Sequence, residues 1–99
     1  MLIVGQDEIG SGETKHYGIR FTNRLTDVLG NAVTISGTPT VSGTNCTVTY
    51  LSNSNGIVAI RVVPSVTTTN RNTAKALATT TVTLSNGEVI PVGINLTIV

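Results

Sequence analysis

The stretch "ATTTVTLSNGEVIPVGINLTIV", residues 78–99, decides the fold of this chain. Larger apolar residues alternate with polar or small ones along both halves, and a period of two places each set on one face of a β-strand. Between the halves, Asn86-Gly87 tolerates the positive φ angles of a tight hairpin turn. We therefore predict a β-hairpin, whose second strand faces the core with Ile90, Val92, Ile94, Leu96 and Ile98. In its first strand, Ala76, Ala78, Thr80, Val82 and Leu84 alternate with Lys75, Leu77, Thr79, Thr81 and Thr83.

The same alternation predicts further strands upstream. Tyr17, Ile19 and Phe21 share one face of a second alternating pattern. β-branched segments predict other strands, at residues 2–4, 32–36, 46–51 and 56–63. Glycine, proline and asparagine clusters predict turns, at residues 37–39, 43–45, 52–56 and 67–72. Pro91 lacks an N–H, so we expect it at a sheet margin or a bulge.

This pattern defines the predicted fold class. About seven short antiparallel strands follow one another without a helical period, and turn signals recur at the spacing typical of sandwiches. We predict an all-β, immunoglobulin-like β-sandwich that forms a single domain over residues 1–99. Residues 1–14 are either its first edge strand or an arm that reaches a neighbour. Residues 23–31 are expected to be a polar connection.

The composition excludes several classes of partner. Only 11% of the residues are charged and the formal net charge is +1, so we expect no nucleic-acid binding. No apolar run reaches the ~20 residues that a membrane-spanning helix needs, and no signal-peptide pattern is present, so we expect a product made in the cytosol. The lone Cys46 cannot form an intramolecular disulfide.

The residue types that carry catalysis are scarce. His16 is the only histidine, and it lies on the polar face of a predicted strand beside Arg20, without an evident partner. The Gly-x-Ser-x-Gly motif is absent. Asp7, Glu8 and Glu13 lack the ligand spacing of a calcium loop, although they leave open a weakly bound cation. We predict a protein that is not an enzyme and that has no cofactor and no metal.

Two segments resemble a known group of domains. The first is Gly12-Glu-Thr-Lys-His-Tyr-Gly-Ile-Arg-Phe-Thr22 followed by Leu25, and the second is Val82-Thr-Leu-Ser-Asn-Gly87. Together they resemble the small immunoglobulin-like domains of tailed-bacteriophage virion structural proteins. The resemblance implies a structural protein of the virion that is made in the host cytoplasm and binds other virion proteins.

Three hypotheses about function remain open. The first is a capsid decoration or cement protein that docks on the major capsid protein lattice, on the capsid surface, as a homo-oligomer or in many copies. The second is a neck, tail or baseplate component. The third is a host-surface adhesin module that binds carbohydrate. The candidate interface residues are Leu2, Ile3 and Val4 on an edge segment, Arg61 on the central strand, and Tyr50, Asn53 and Asn55 for the carbohydrate hypothesis.

Overall fold

The computed structural model describes residues 1–21, 25, 30, 32–68 and 73–99. Within these residues the chain forms seven strands and no helix. The strands are β1 (Leu2–Ile9), β2 (Lys15–Arg20), β3 (Ile35–Thr44), β4 (Cys46–Ser54), β5 (Ile57–Pro64), β6 (Ala74–Leu84) and β7 (Val89–Ile98). They form a four-stranded sheet in the order β1-β7-β6-β3 and a three-stranded sheet in the order β2-β5-β4. The predicted all-β, two-sheet architecture is confirmed.

The core lies between the inward faces of the two sheets. All five residues predicted to face the core from β7 are buried, at 5% exposure or less. On β6 the buried set is Ala76, Ala78, Thr80, Val82 and Leu84. On β5, the central strand of the smaller sheet, Val58, Ile60 and Val62 are fully buried. Burying one such side chain contributes about 1.5–3 kcal/mol, so this alternation supplies the main stabilising free energy of the fold.

The β6–β7 hairpin has the predicted turn. Gly87 has a φ of 92°, and its N–H donates to the Leu84 carbonyl oxygen at 2.9 Å. The Glu88 N–H donates to Asn86 Oδ1 at 3.1 Å. Pairing between β1 and β7 begins at Val92, so Pro91 lies just beyond the end of the neighbouring strand, where its missing N–H costs no hydrogen bond to β1.

Two expectations about the first strand are wrong. Strand β1 continues to Ile9 instead of ending at residue 4, and it pairs with β7 in parallel rather than antiparallel. The register shifts between Ile3 and Gly5, and this bulge turns Ile9 into the core although the segment is polar. A turn then carries the chain to the other sheet, so β1 has no hairpin partner that would fix its direction. The strand occupies an edge of the larger sheet, as one of the two readings of residues 1–14 expects.

One turn prediction is wrong, and another covers too many residues. The signal at residues 37–39 lies inside β3, where a register shift between Ser36 and Thr40 accommodates Gly37 and Pro39. This is tolerated because β3 is an edge strand, whose outer side needs no N–H donors. Strand β4 extends to Ser54, so the turn predicted at residues 52–56 narrows to Asn55-Gly56, whose φ angles are both positive. Most of residues 23–31 and 67–72 lie outside the described residues.

The corner between β3 and β4 carries the chain from one sheet to the other. Asn45, with a φ of 59°, is the only residue between the two strands. Its Nδ2 donates to the Lys75 carbonyl oxygen at 2.8 Å, and its own carbonyl oxygen accepts a hydrogen bond from the Ser65 N–H. At Gly43, an added Cβ would overlap the backbone oxygen of Cys46. The corner therefore requires glycine at position 43 because the two strands approach each other closely.

Replacing Gly43 by alanine should destabilise the fold by about 2 kcal/mol or more, since rigid backbone atoms occupy the space. The matched control is Gly5→Ala, where the new methyl group would meet only Ile94 Cγ2 at 3.9 Å. Urea unfolding followed by circular dichroism measures both. Equal midpoints for the two variants would contradict the tight corner.

Thr80 is fully buried on β6, and among the described residues its Oγ1 has no hydrogen-bond partner. An unpaired buried hydroxyl costs about 1–3 kcal/mol, so the isosteric Thr80→Val substitution should stabilise the protein by about 1 kcal/mol. Thr80→Ala also removes the hydroxyl but leaves a cavity, and it should not stabilise. A lower thermal midpoint for Thr80→Val than for the parent protein would show that the Thr80 hydroxyl has a hydrogen-bond partner.

Candidate functional site

A polar cluster joins the two sheets at their open side. Asp7 on β1 accepts hydrogen bonds at Oδ2 from Lys15 Nζ at 2.8 Å and from Tyr17 Oη at 2.7 Å. Lys15 Nζ also donates to the Glu8 carbonyl oxygen at 3.1 Å. Asp7 belongs to the four-stranded sheet, whereas Lys15 and Tyr17 belong to the three-stranded sheet. This Asp7 cluster therefore binds together two sheets that share no backbone pairing at this edge.

The cluster fixes its own protonation state. Hydrogen bonds from Lys15 and Tyr17 lower the pKa of Asp7 to about 2. Burial, followed by the hydrogen bond to Asp7, raises the pKa of Tyr17, and the same carboxylate raises the pKa of Lys15. Near pH 7 the carboxylate is thus ionised while its two donors keep their protons. A carboxylate with so low a pKa is a poor proton acceptor. This arrangement therefore suits a hydrogen-bonded link between the two sheets better than acid–base catalysis.

An open groove of about 430 Å³ runs between the edges of β1 and β2. Ile19 and Ile94, both buried, form its apolar floor. Gln6 and Asp7 line one wall, and Gly18 and Arg20 line the other. Because β1 and β2 are both edge strands, backbone N–H and C=O groups along this edge groove face outward. The groove could accept an extended segment of another protein.

The amino-terminal part of β1 exposes apolar side chains. Leu2, Ile3 and Val4, all predicted interface residues, are 57%, 39% and 47% exposed, and we call them the apolar edge. They lie next to each other on one edge of the larger sheet. A Cβ at Gly93 would lie 3.2 Å from both Ile3 Cδ1 and Met1 Sδ, so these two side chains lie over the glycine. The structure therefore places these three predicted residues along one exposed sheet edge, where Leu2 and Ile3 point to opposite faces of the sheet.

The other predicted interface residues lie away from the apolar edge. Arg61 is exposed on the outer face of the three-stranded sheet. Asn53 and Asn55 line a separate groove of about 270 Å³ near the β4–β5 turn. Tyr50 pairs with the buried Ile60 and packs partly against the core, so it is not an exposed aromatic platform beside these asparagines. Tyr50 therefore lies outside the groove that the two asparagines line, and the carbohydrate hypothesis stays a prediction.

The Asp7 cluster and the edge groove were not predicted from the sequence. From the sequence, Asp7 is only one of three acids that leave open a weakly bound cation, and Tyr17 shares a strand face with Ile19 and Phe21. The two become neighbours because β1 and β2 lie on the same side of different sheets. Asp7 faces inward because the alternation of β1 resumes after the bulge. The sequence does not show where this bulge lies, so it does not predict the direction of the Asp7 side chain.

Two features of the described residues concern metal ligands and the cysteine. Among them, no group of three His, Cys, Asp or Glu side chains could hold a metal ion. Cys46 is buried and donates to the Leu77 carbonyl oxygen at 3.5 Å, and burial raises the pKa of its thiol. The part of the chain with described structure contains no helix long and apolar enough to cross a membrane.

Comparison of the chain with family models, with curated proteins and with solved structures gave no match. The candidate site is therefore defined by geometry alone. Its parts are the apolar edge, the edge groove and the outer faces of the two sheets.

The Asp7 cluster makes stability depend on pH. The pKa of Asp7 falls from 3.8 to about 2 on folding, so its contribution is complete above pH 3.8 and disappears as the pH falls through about 2. Asp7→Asn should therefore lower the urea midpoint at pH 6, and the difference from the parent protein should shrink toward pH 2. Glu8→Gln, a change of the same charge on the adjacent residue, serves as the control. If the difference in urea midpoint between Asp7→Asn and the parent protein stays constant from pH 6 to pH 2, the ionised Asp7 carboxylate does not stabilise the fold.

Proposed function

We propose that this chain is a bacteriophage virion structural protein, without enzymatic activity, that decorates the capsid and cements it by docking on the major capsid protein lattice. It would be made in the host cytoplasm and end on the capsid surface in many copies. The resemblance of residues 12–22 and 82–87 to virion domains supports this proposal. The apolar edge is the observation that carries it, because exposed apolar residues on an edge strand favour stable docking on another protein.

The strand order supports the immunoglobulin-like part of the proposal. If β1 to β7 are named A to G, the three-stranded sheet has the order B-E-D, and the larger sheet contains C, F and G as neighbours. Immunoglobulin-type sandwiches divide their strands in this way. The first strand differs from the constant-type arrangement because it pairs with G instead of B.

The low charge of the chain supports an assembly role. A protein with a formal net charge of +1 has little electrostatic repulsion between copies, so a dense arrangement on a symmetric lattice costs little. The Cα atoms extend over 52 × 20 × 17 Å, and this elongated shape suits a protein that bridges neighbouring subunits.

A neck, tail or baseplate component is the second candidate. Strands β1 and β3 leave both edges of the four-stranded sheet open. Two free edges permit each copy to contact two neighbours in a closed ring. Copy number separates the two candidates: hundreds of copies per virion favour decoration, and about a dozen favour a ring in the neck or tail.

The decoration proposal is tested on particles from the phage that encodes the chain, after the protein has been stripped from them. Stripping should lower the melting temperature of the capsid, and adding back the purified protein should restore it. Leu2→Lys should fail to restore it, because a charge replaces an apolar side chain of the apolar edge. Val89→Lys, which changes a valine that is 61% exposed at the start of β7, should restore it. An unchanged capsid melting temperature after stripping would overturn the cementing role.

A further inference from the structure

Charged side chains are divided unequally between the two sheets. The strands of the three-stranded sheet contain Lys15, Arg20 and Arg61 and not one Asp or Glu. The strands of the four-stranded sheet contain two acids, Asp7 and Glu8, and a single lysine. Lys15 is neutralised by Asp7, so the two arginines dominate the outside of the smaller sheet.

These arginines share one solvent-facing surface. Along β2 and β5 the buried residues alternate with outward ones, and the register places His16 opposite Arg61, Gly18 opposite Ala59, and Arg20 opposite Ile57. We call these six residues the cationic face. His16, Arg20 and Arg61 are exposed, whereas a Cβ at Gly18 would lie 3.4 Å from Ile57 Cγ2. The face therefore has a small-residue centre with cations on either side of it.

The chemistry of the cationic face fits an acidic protein surface. Each guanidinium can donate two parallel hydrogen bonds to one carboxylate. Gly18 and Ala59 between them allow the backbone of a partner to approach closely. A nucleic acid fits less well, because the three strands contain only two aromatic residues, Tyr17 and Tyr50, and both point toward the core, where they cannot stack on bases.

We propose that the cationic face is a docking surface for a partner protein that presents carboxylates opposite Arg20 and Arg61. The inference rests on the proposed function, which makes the capsid lattice the partner. Gly18 and Arg20 also line the edge groove, so the cationic face and the groove form one continuous surface. Attraction between the arginines and the lattice then sets the orientation of the chain, and the apolar edge adds contact area.

The test measures co-sedimentation of the purified protein with the same stripped particles. Arg61→Glu and Arg20→Glu should each weaken binding by about tenfold or more, and higher salt should weaken the binding of the parent protein. Arg61→Lys keeps the charge and should retain most of the affinity. Lys75→Glu makes the same charge change on the other sheet, where Nζ contacts Thr97 Oγ1, and should bind like the parent protein. Circular dichroism confirms that each variant is folded.

The outcomes separate this inference from the proposed function. If the parent protein binds the particles and both glutamate variants bind equally well, the cationic face is not the docking surface, although the proposed function stands. If Lys75→Glu weakens binding as much as Arg61→Glu, the effect is one of net charge and the inference is wrong. If the parent protein does not bind the particles, both the proposed function and this inference are wrong. Tighter binding of the parent protein to a short duplex DNA than to the particles would show that the cationic face binds a nucleic acid, and the inference of a protein partner would be wrong.

Discussion

Packing between the two inward sheet faces is the constraint on which the rest of the structure depends. Strands β5 and β7 direct valine, isoleucine and leucine at alternate positions into the space between the sheets, and β6 adds Ala76, Ala78, Thr80, Val82 and Leu84. A shift of one residue in any of these strands would expose its apolar set to water. This requirement fixes the register, and the register in turn decides which polar residues face outward. The cationic face and the threonine-rich outer side of β6 both follow from it.

The edge between β1 and β2 is built differently from the core. Here the sheets share no backbone pairing, and a hydrogen-bonded carboxylate joins them instead. The Asp7 cluster lies at one end of the edge groove and leaves the opposite end, near Val4 and Arg20, open. The hydrogen bonds of the Asp7 cluster stabilise one end of this edge. The open end of the groove leaves space for a partner over its apolar floor.

The sequence predicts the parts of the fold that depend on strict alternation. Ile90, Val92 and Ile94 could be placed in the core from the period of two alone, and Asn86-Gly87 located the hairpin. Irregular positions could not be predicted in the same way. The bulge at Val4 and the register shift across Gly37 and Pro39 depend on the position of each strand at a sheet edge, which is a tertiary property. The Asp7 cluster was missed for the same reason, whereas the exposed Leu2, Ile3 and Val4 could be predicted because they form a short apolar run.

The parallel pairing of β1 with β7 has a mechanical consequence. Strand β1 begins beside Val92 and β7 ends beside Ile9, so tension that pulls the two ends of the chain apart slides these strands along each other. The hydrogen bonds between them then carry the load together, in shear, instead of opening one after another from a hairpin end. This geometry makes the domain resistant to extension along its length, because these hydrogen bonds must break together.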